Sequence, residues 1–188
     1  MVTFKGTGLV VDVETTGLSP FRDEIIEIGM VLFSFSPQNG RILHVIETYQ
    51  SFRQPSCQIS PYARAVHGIK DQDLNGQYPD HSKVESLIAR SDFIIAHNVQ
   101  FDHAFFSRLY PSSYRCKWFC SMSGIQWRKK GAGSRRLGEL CAYYGITGNS
   151  SHRALFDANM TLELLSVNDS EGFTHLHELL SSEPYWDP

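Results

Sequence analysis

Residues 8–18 read Gly-Leu-Val-Val-Asp-Val-Glu-Thr-Thr-Gly-Leu, and the way this stretch folds decides how the rest is parsed. Its first half is apolar and β-branched, the composition of a buried strand. Asp12 and Glu14 fall at the end of that strand, on either side of Val13. Side chains two apart on a strand share a face, so both carboxylates can meet one ion. Sites in α/β sheets lie beyond the carboxyl ends of strands, where this pair sits. Thr15-Thr16-Gly17 then turns the chain and offers backbone N–H groups beside the carboxylates. The Asp-x-Glu pattern alone carries little. With 20 acidic residues in 188, one or two chance matches are expected, so its weight depends on what accompanies it.

Outward from this strand, residues 25–35 and 41–52 read as two long strands joined by the turn Ser-Pro-Gln-Asn-Gly at 36–40, an antiparallel hairpin. A short helix is expected over 61–66, with Pro61 in its first turn and His67-Gly68 closing it. Asp71 or Asp80 could cap further short helices, and residues 84–89 carry a helical apolar pattern. Residues 92–96 predict a fourth strand, 101–110 the helix after it, and 117–120 a short fifth strand. Helices are expected over 121–130, 136–144 and 152–166, with a weaker one over 173–180 before a tail at 181–188. The fold class is therefore α/β, a mixed five-stranded sheet flanked by helices, with residues 1–188 as one domain.

Two more acid-bearing segments follow the first. In His97-Asn98-Val-Gln-Phe101-Asp102 an apolar strand ends and Asp102 falls in the first turn of the next helix. Either residue could simply cap that helix or favour its dipole. In His152-Arg-Ala-Leu-Phe-Asp157 the two polar ends are five apart, about 140° round a helix, and share no stripe. A histidine just ahead of the helix could still reach over an ion held by an aspartate one turn in. Three weak signals, at the ends of strands one and four and at the start of a late helix, can converge on one edge of a parallel-type sheet.

In order and spacing these three segments match the motifs of the DEDDh, or DnaQ-like, 3′→5′ exonucleases, the family that includes the proofreading epsilon subunit of bacterial DNA polymerase III and ribonuclease T. Residues 59–69 and 137–146 resemble the same family more weakly, so that the likeness covers about residues 5–166. It implies a ribonuclease-H-like fold and hydrolysis of the 3′-terminal phosphodiester of single-stranded DNA. RNA 3′-end trimming by the same chemistry is the alternative, and an inactive binding module the third reading. The resemblance implies that Asp12, Glu14 and Asp157 bind one divalent ion, that Asp12 bridges to a second, and that Asp102 reaches the second through water. His152 would deprotonate the attacking water. Thr15, Thr16, Leu18, Asn98 and Phe101 would shape the terminal-nucleotide pocket, with Leu18 a wedge between bases and His67 close by.

The residue types suit that chemistry. Phosphodiester hydrolysis needs charge stabilised on the attacking and leaving oxygens, and hard oxygen ligands favour two Mg²⁺ ions, with Mn²⁺ as substitute. Histidine as a residue type accepts protons near neutrality. Arg128, Lys129, Lys130, Arg135 and Arg136 fall within nine residues, a solvated loop or a contact to the strand backbone. The net charge of −3 argues against a nucleic-acid-coating protein and leaves a nuclease open. The four cysteines form no Cys-x-x-Cys pair and are expected as free thiols. No stretch has membrane-spanning length, so a soluble cytoplasmic protein is expected, with no membrane partner. The Thr-Thr-Gly form after Glu14 resembles the epsilon and ribonuclease T branches. Only about residues 168–188 follow the last motif, which favours a free-standing enzyme over a tethered polymerase subunit. Polymerase association or a homodimer stay open as partners.

Overall fold

A computed structural model describes residues 5–147 and 152–188. The strands are β1 (Gly6–Thr15), β2 (Ile25–Phe35), β3 (Ile42–Phe52), β4 (Phe93–Ala96) and β5 (Lys117–Cys120). They form one sheet in the order β3-β2-β1-β4-β5, antiparallel on the β3 side and parallel from β1 to β5. The central strand therefore ends where the parallel strand β4 also ends, which brings two of the acid-bearing segments together.

The helices are α1 (Pro61–His67), α2 (His81–Ala89), α3 (Val99–Leu109), α4 (Leu137–Tyr143), α5 (Ala154–Ser166) and α6 (His175–Leu180). Alternation along the strands sorts the core into two layers. Leu9, Val11, Val13, Met30, Ile94 and Trp118 face α2 and α3, whereas Val10, Val31, Phe33, Ile95 and Phe119 face α4, α5 and α6. The same alternation turns Asp12 and Glu14 to the α5 side. Gly29, opposite Asp12 in the β1–β2 register, lets the start of α5 rest on the sheet. A methyl group there would fall 2.1 Å from the carbonyl carbon of Ala154.

The segment after Cys120 corrects one expectation. Residues 121–130 are successive turns, not a helix. Trp127 is buried and its indole N–H donates to the Ser121 carbonyl (2.8 Å), while Gly124 fits beneath Leu179 where a Cβ would clash. Burying the indole takes up a carbonyl that a helix would have used within its own ladder. Residues 183–187 are not a loose tail either. Tyr185 N–H donates to the Trp118 carbonyl (2.7 Å), Trp118 N–H to that of Trp186 (2.9 Å), and Lys117 pairs with Asp187 (3.0 Å). This segment covers the outer edge of β5, which would otherwise expose unpaired backbone groups. Among the described residues no helix is long and apolar enough to cross a membrane.

Candidate active site

The carboxylates of Asp12, Glu14, Asp102 and Asp157 converge at the carboxyl end of β1. Asp12 and Glu14 come from the strand, Asp102 from the first turn of α3, and Asp157 from the first turn of α5. Asp102 is 3% exposed and accepts a hydrogen bond from the N–H of Val13 (3.2 Å), the residue between the two strand acids in sequence. Ligand atoms of Glu14, His152 and Asp157 lie within 4.8 Å of one another. Asp12 falls outside that trio, yet its ionisation is opposed by Asp102, Glu14 and Asp157.

The electrostatics are those of a cluster in which burial and mutual repulsion outweigh the nearby Arg153 and His152. Burial, then mutual repulsion, pushes Glu14 up to about 9. Burial lifts Asp102 to about 7, against hydrogen bonds from backbone N–H groups that lower it. Asp12 and Asp157 are raised too, burial being the first cause for both. Among the described residues, no lysine or arginine forms an ion pair with any of the four. Among the described residues, Asp157 Oδ1 finds no hydrogen-bond partner and is buried. A buried acceptor left unmade costs about 1–3 kcal/mol, so a fold that retains it needs another partner for it. A hard divalent cation fits this donor set: all-oxygen carboxylates, uncompensated, with one lone-pair site vacant.

His152 lies just ahead of α5, which starts at Ala154 and not at residue 152 as expected. It is exposed, with φ of 43°, a left-handed conformation that costs a non-glycine residue about 1 kcal/mol or more. The helix begins two residues later because that backbone turn cannot belong to it. The turn leaves the imidazole beside Glu14 and Asp157.

A cavity of about 310 Å³ opens next to the carboxylates, lined by Glu14, Thr15, Leu18, His67, Asn98, Phe101 and His152 among others. Leu18 is 69% exposed on its rim. His67 accepts from Ile69 N–H through Nδ1 (3.0 Å), which leaves Nε2–H as a buried donor beside the Thr15 backbone. Thr16 is the exception among the expected pocket residues. It is fully buried within its loop, its Oγ1 accepting from Glu24 N–H (3.0 Å) and lying 3.3 Å from Asp23.

The basic stretch is held at the same end of the sheet. His97, kept neutral by burial that lowers it to about 4, accepts from Ser121 through Nδ1 (2.9 Å) and donates through Nε2 to the Arg135 carbonyl (2.8 Å). Arg128, Lys129, Arg135 and Arg136 are exposed, whereas Lys130 is tied to Glu178 at 2.8 Å.

One acid escaped the sequence reading. Glu27, fully buried on β2 directly opposite Glu14, accepts from Arg153 Nε and Nη2 (3.1 and 3.0 Å), from Ala154 N–H (3.2 Å) and from Gln50 (2.6 Å). It anchors the entry of α5 and so places both His152 and Asp157. The signal was present: a lone charge inside Ile25-Ile26-Glu27-Ile28, where every neighbour is apolar.

Set against known proteins, residues 9–165 match the profile of the RNase T family, described as exonuclease. The chain belongs to that exonuclease family. It is 28% identical to a DNA polymerase III PolC-type of Mycoplasmopsis pulmonis, over 95% of this chain and 13% of that protein. It is 32% identical to a 3′-5′ exonuclease DinG of Staphylococcus saprophyticus, over 84% of this chain and 17% of that protein. The chain thus spans less than a fifth of the curated relatives it matches. Among solved structures, Exonuclease X in complex with 5′ overhanging duplex DNA superposes with a TM-score of 0.62 at 24% identity, covering 90% of this chain and 99% of that one. E. coli Exonuclease I with a dT13 oligonucleotide gives 0.66 at 19%, covering 86% and 40%. These likenesses establish the ribonuclease-H-like fold, and the family profile makes the domain a hydrolytic exonuclease.

Proposed function

We propose that this exonuclease domain removes nucleotides from the 3′ end of single-stranded DNA, releasing nucleoside 5′-monophosphates. The observation that carries this reading is the uncompensated carboxylate cluster beside a nucleotide-sized cavity, with an exposed histidine at their junction. DNA as the substrate is supported by relatives whose names refer to a DNA polymerase and by similar folds solved with DNA.

In this reading Asp12, Glu14, Asp102 and Asp157 would hold the divalent ions. Mg²⁺ is the physiological choice and Mn²⁺ the substitute. Such ions, when bound, stabilise charge on the attacking and leaving oxygens of the phosphodiester. The protein's own residues do the rest. The cavity seats the terminal nucleotide, with His67 Nε2–H and Asn98 as polar contacts and Phe101 and Leu18 as apolar walls. Thr15 contributes backbone, because its hydroxyl is already donated to the Gly17 carbonyl at 2.6 Å. His152 takes the proton from the water that attacks the phosphorus. The bond to the upstream 3′ oxygen breaks, and that oxygen leaves with the shortened strand. The exposed position of His152 gives it access to bulk solvent, to which the proton is then passed.

Matched DNA and RNA strands, 5′-labelled and incubated with Mg²⁺, test this directly. A ladder shortening from the 3′ end on DNA is expected. A ladder on RNA alone would move the activity to RNA trimming, and intact strands of both kinds would overturn the enzyme reading.

A further inference from the structure

Beyond Leu18 a second cavity, of about 490 Å³, continues from the first. It shares Leu18, Asn98 and Phe101 with the terminal pocket and adds Phe21, Gln100 and Tyr185 to its lining. Its size falls within the roughly 300–1,000 Å³ of organic ligand sites. Two of its rings are poorly explained by packing. Phe21 is 85% exposed on the loop between β1 and β2, and forgoes the stabilisation that burial would supply. The Arg108 guanidinium lies 5.7 Å from its ring centroid. Tyr185 is 48% exposed, although the backbone around it is fixed to β5 by the hydrogen bonds described above. Its ring packs edge-on against His103 at 5.6 Å. Thus a rigid segment outside the family-matched residues 9–165 carries an aromatic ring to the rim of the substrate path.

We propose that Phe21 and Tyr185 form a stacking subsite for the nucleobases immediately upstream of the 3′-terminal nucleotide. Continuity with the terminal pocket selects the occupant: a strand whose last nucleotide fills the first cavity must leave past Leu18 into the second. Arg108, beside the Phe21 ring, supplies positive charge near that exit, suited to phosphates. Aromatic faces accept any base, so the subsite adds affinity without sequence preference. It also makes residues 183–187 part of the substrate-binding surface. The inference rests on the 3′→5′ exonuclease reading above.

The test pairs changes in the protein with changes in the strand. A ten-residue oligothymidylate is compared with one whose two nucleotides upstream of the terminal one are abasic. In the parent chain, abasic substitution should lower kcat/KM by at least roughly five- to a hundredfold, the range for a single base stack. In Phe21→Ala/Tyr185→Ala the normal strand should fall by a similar factor, and abasic substitution should then cost less than twofold. An undiminished abasic penalty in the variant overturns the subsite, because the bases are then read elsewhere. Folding loss cannot mimic the expected result, since it lowers both strands equally. Failure of the parent to cleave either strand overturns the exonuclease reading instead. The subsite is then decided by fluorescence of a strand carrying 2-aminopurine at the upstream position. Quenching on binding to the parent but not the variant supports it, and equal signals reject it.

Discussion

Two acids face each other across the β1–β2 register, Glu14 and Glu27, and their fates differ. Glu27 is buried and fully partnered by Arg153, Gln50 and the first N–H of α5. Glu14, one strand over, has three other carboxylates near it, no basic ion-pair partner among the described residues, and is pushed up to about 9. The same residue type in the same sheet is architecture where its charge is satisfied, and candidate chemistry where it is not. A chain that packs its core this closely could have satisfied both. That it leaves one cluster uncompensated marks the place where a ligand completes the structure.

Removing charge from each side should have opposite effects on stability. Asp157→Asn should lower hydrolysis about a thousandfold or more, because the cation site is short of a ligand. In metal-free buffer it should raise the melting temperature or leave it unchanged, because repulsion is relieved; a lower metal-free Tm would contradict the view of this cluster as strained. His152→Ala should lower kcat by about 10²–10⁴-fold, the span of general-base contributions, with KM within about threefold. Parent-like turnover at pH 7 would remove His152 from the base role.

Glu27→Ala should act in the opposite sense to Asp157→Asn. It strips a buried ion pair of one member, a loss of 3–5 kcal/mol in fully buried cases. Arg153 is 39% exposed, which brings the expectation down to about 2 kcal/mol, read from denaturant unfolding. Activity should fall as well, since the entry of α5 loosens. A variant of unchanged stability would mean that Glu27 does not anchor that helix.

The acids themselves predict a pH signature. Glu14 and Asp102 bind protons more tightly in the folded chain, at about 9 and about 7, than their ordinary 4.5 and 3.8. Their contribution to metal-free stability is full below those ordinary values and is lost as pH rises through about 7 and then about 9. Metal-free Tm should therefore decline from pH 5 to 9, and Glu14→Gln should flatten the upper part of that decline. The smallest effect belongs to the basic stretch. Arg128→Ala should make the log–log salt slope of strand binding shallower by about 0.7, the value for one phosphate of a single strand. Lys130→Ala should change it by less, because Lys130 is already paired with Glu178.

How far the sequence foretells this depends on which physical rule governs each segment. Residues 117–120 read as β5 to the residue because a short apolar run between turn signals has few other solutions. The three motifs are legible for the same reason: acids at the ends of apolar strands are costly anywhere else. Residues 121–130 mislead because Trp127 reaches back to Ser121, a tertiary hydrogen bond that no local pattern announces. Thr16 looks like a pocket residue by adjacency, yet Asp23 and Glu24 claim its hydroxyl. Glu27 stands out in the sequence as a lone charge among apolar neighbours, but its role does not, because its partner Arg153 lies 126 residues away. Tyr185 sits in what looks like a tail until the unpaired edge of β5 gives that tail a place.

The most direct measurement is calorimetric titration of Mn²⁺ into the metal-free chain at pH 8, with Tm followed in parallel. Two ions should bind, Tm should rise, and both effects should be lost in Asp12→Asn. No binding at millimolar Mn²⁺ and an unmoved Tm would contradict the claim that these carboxylates await a divalent cation.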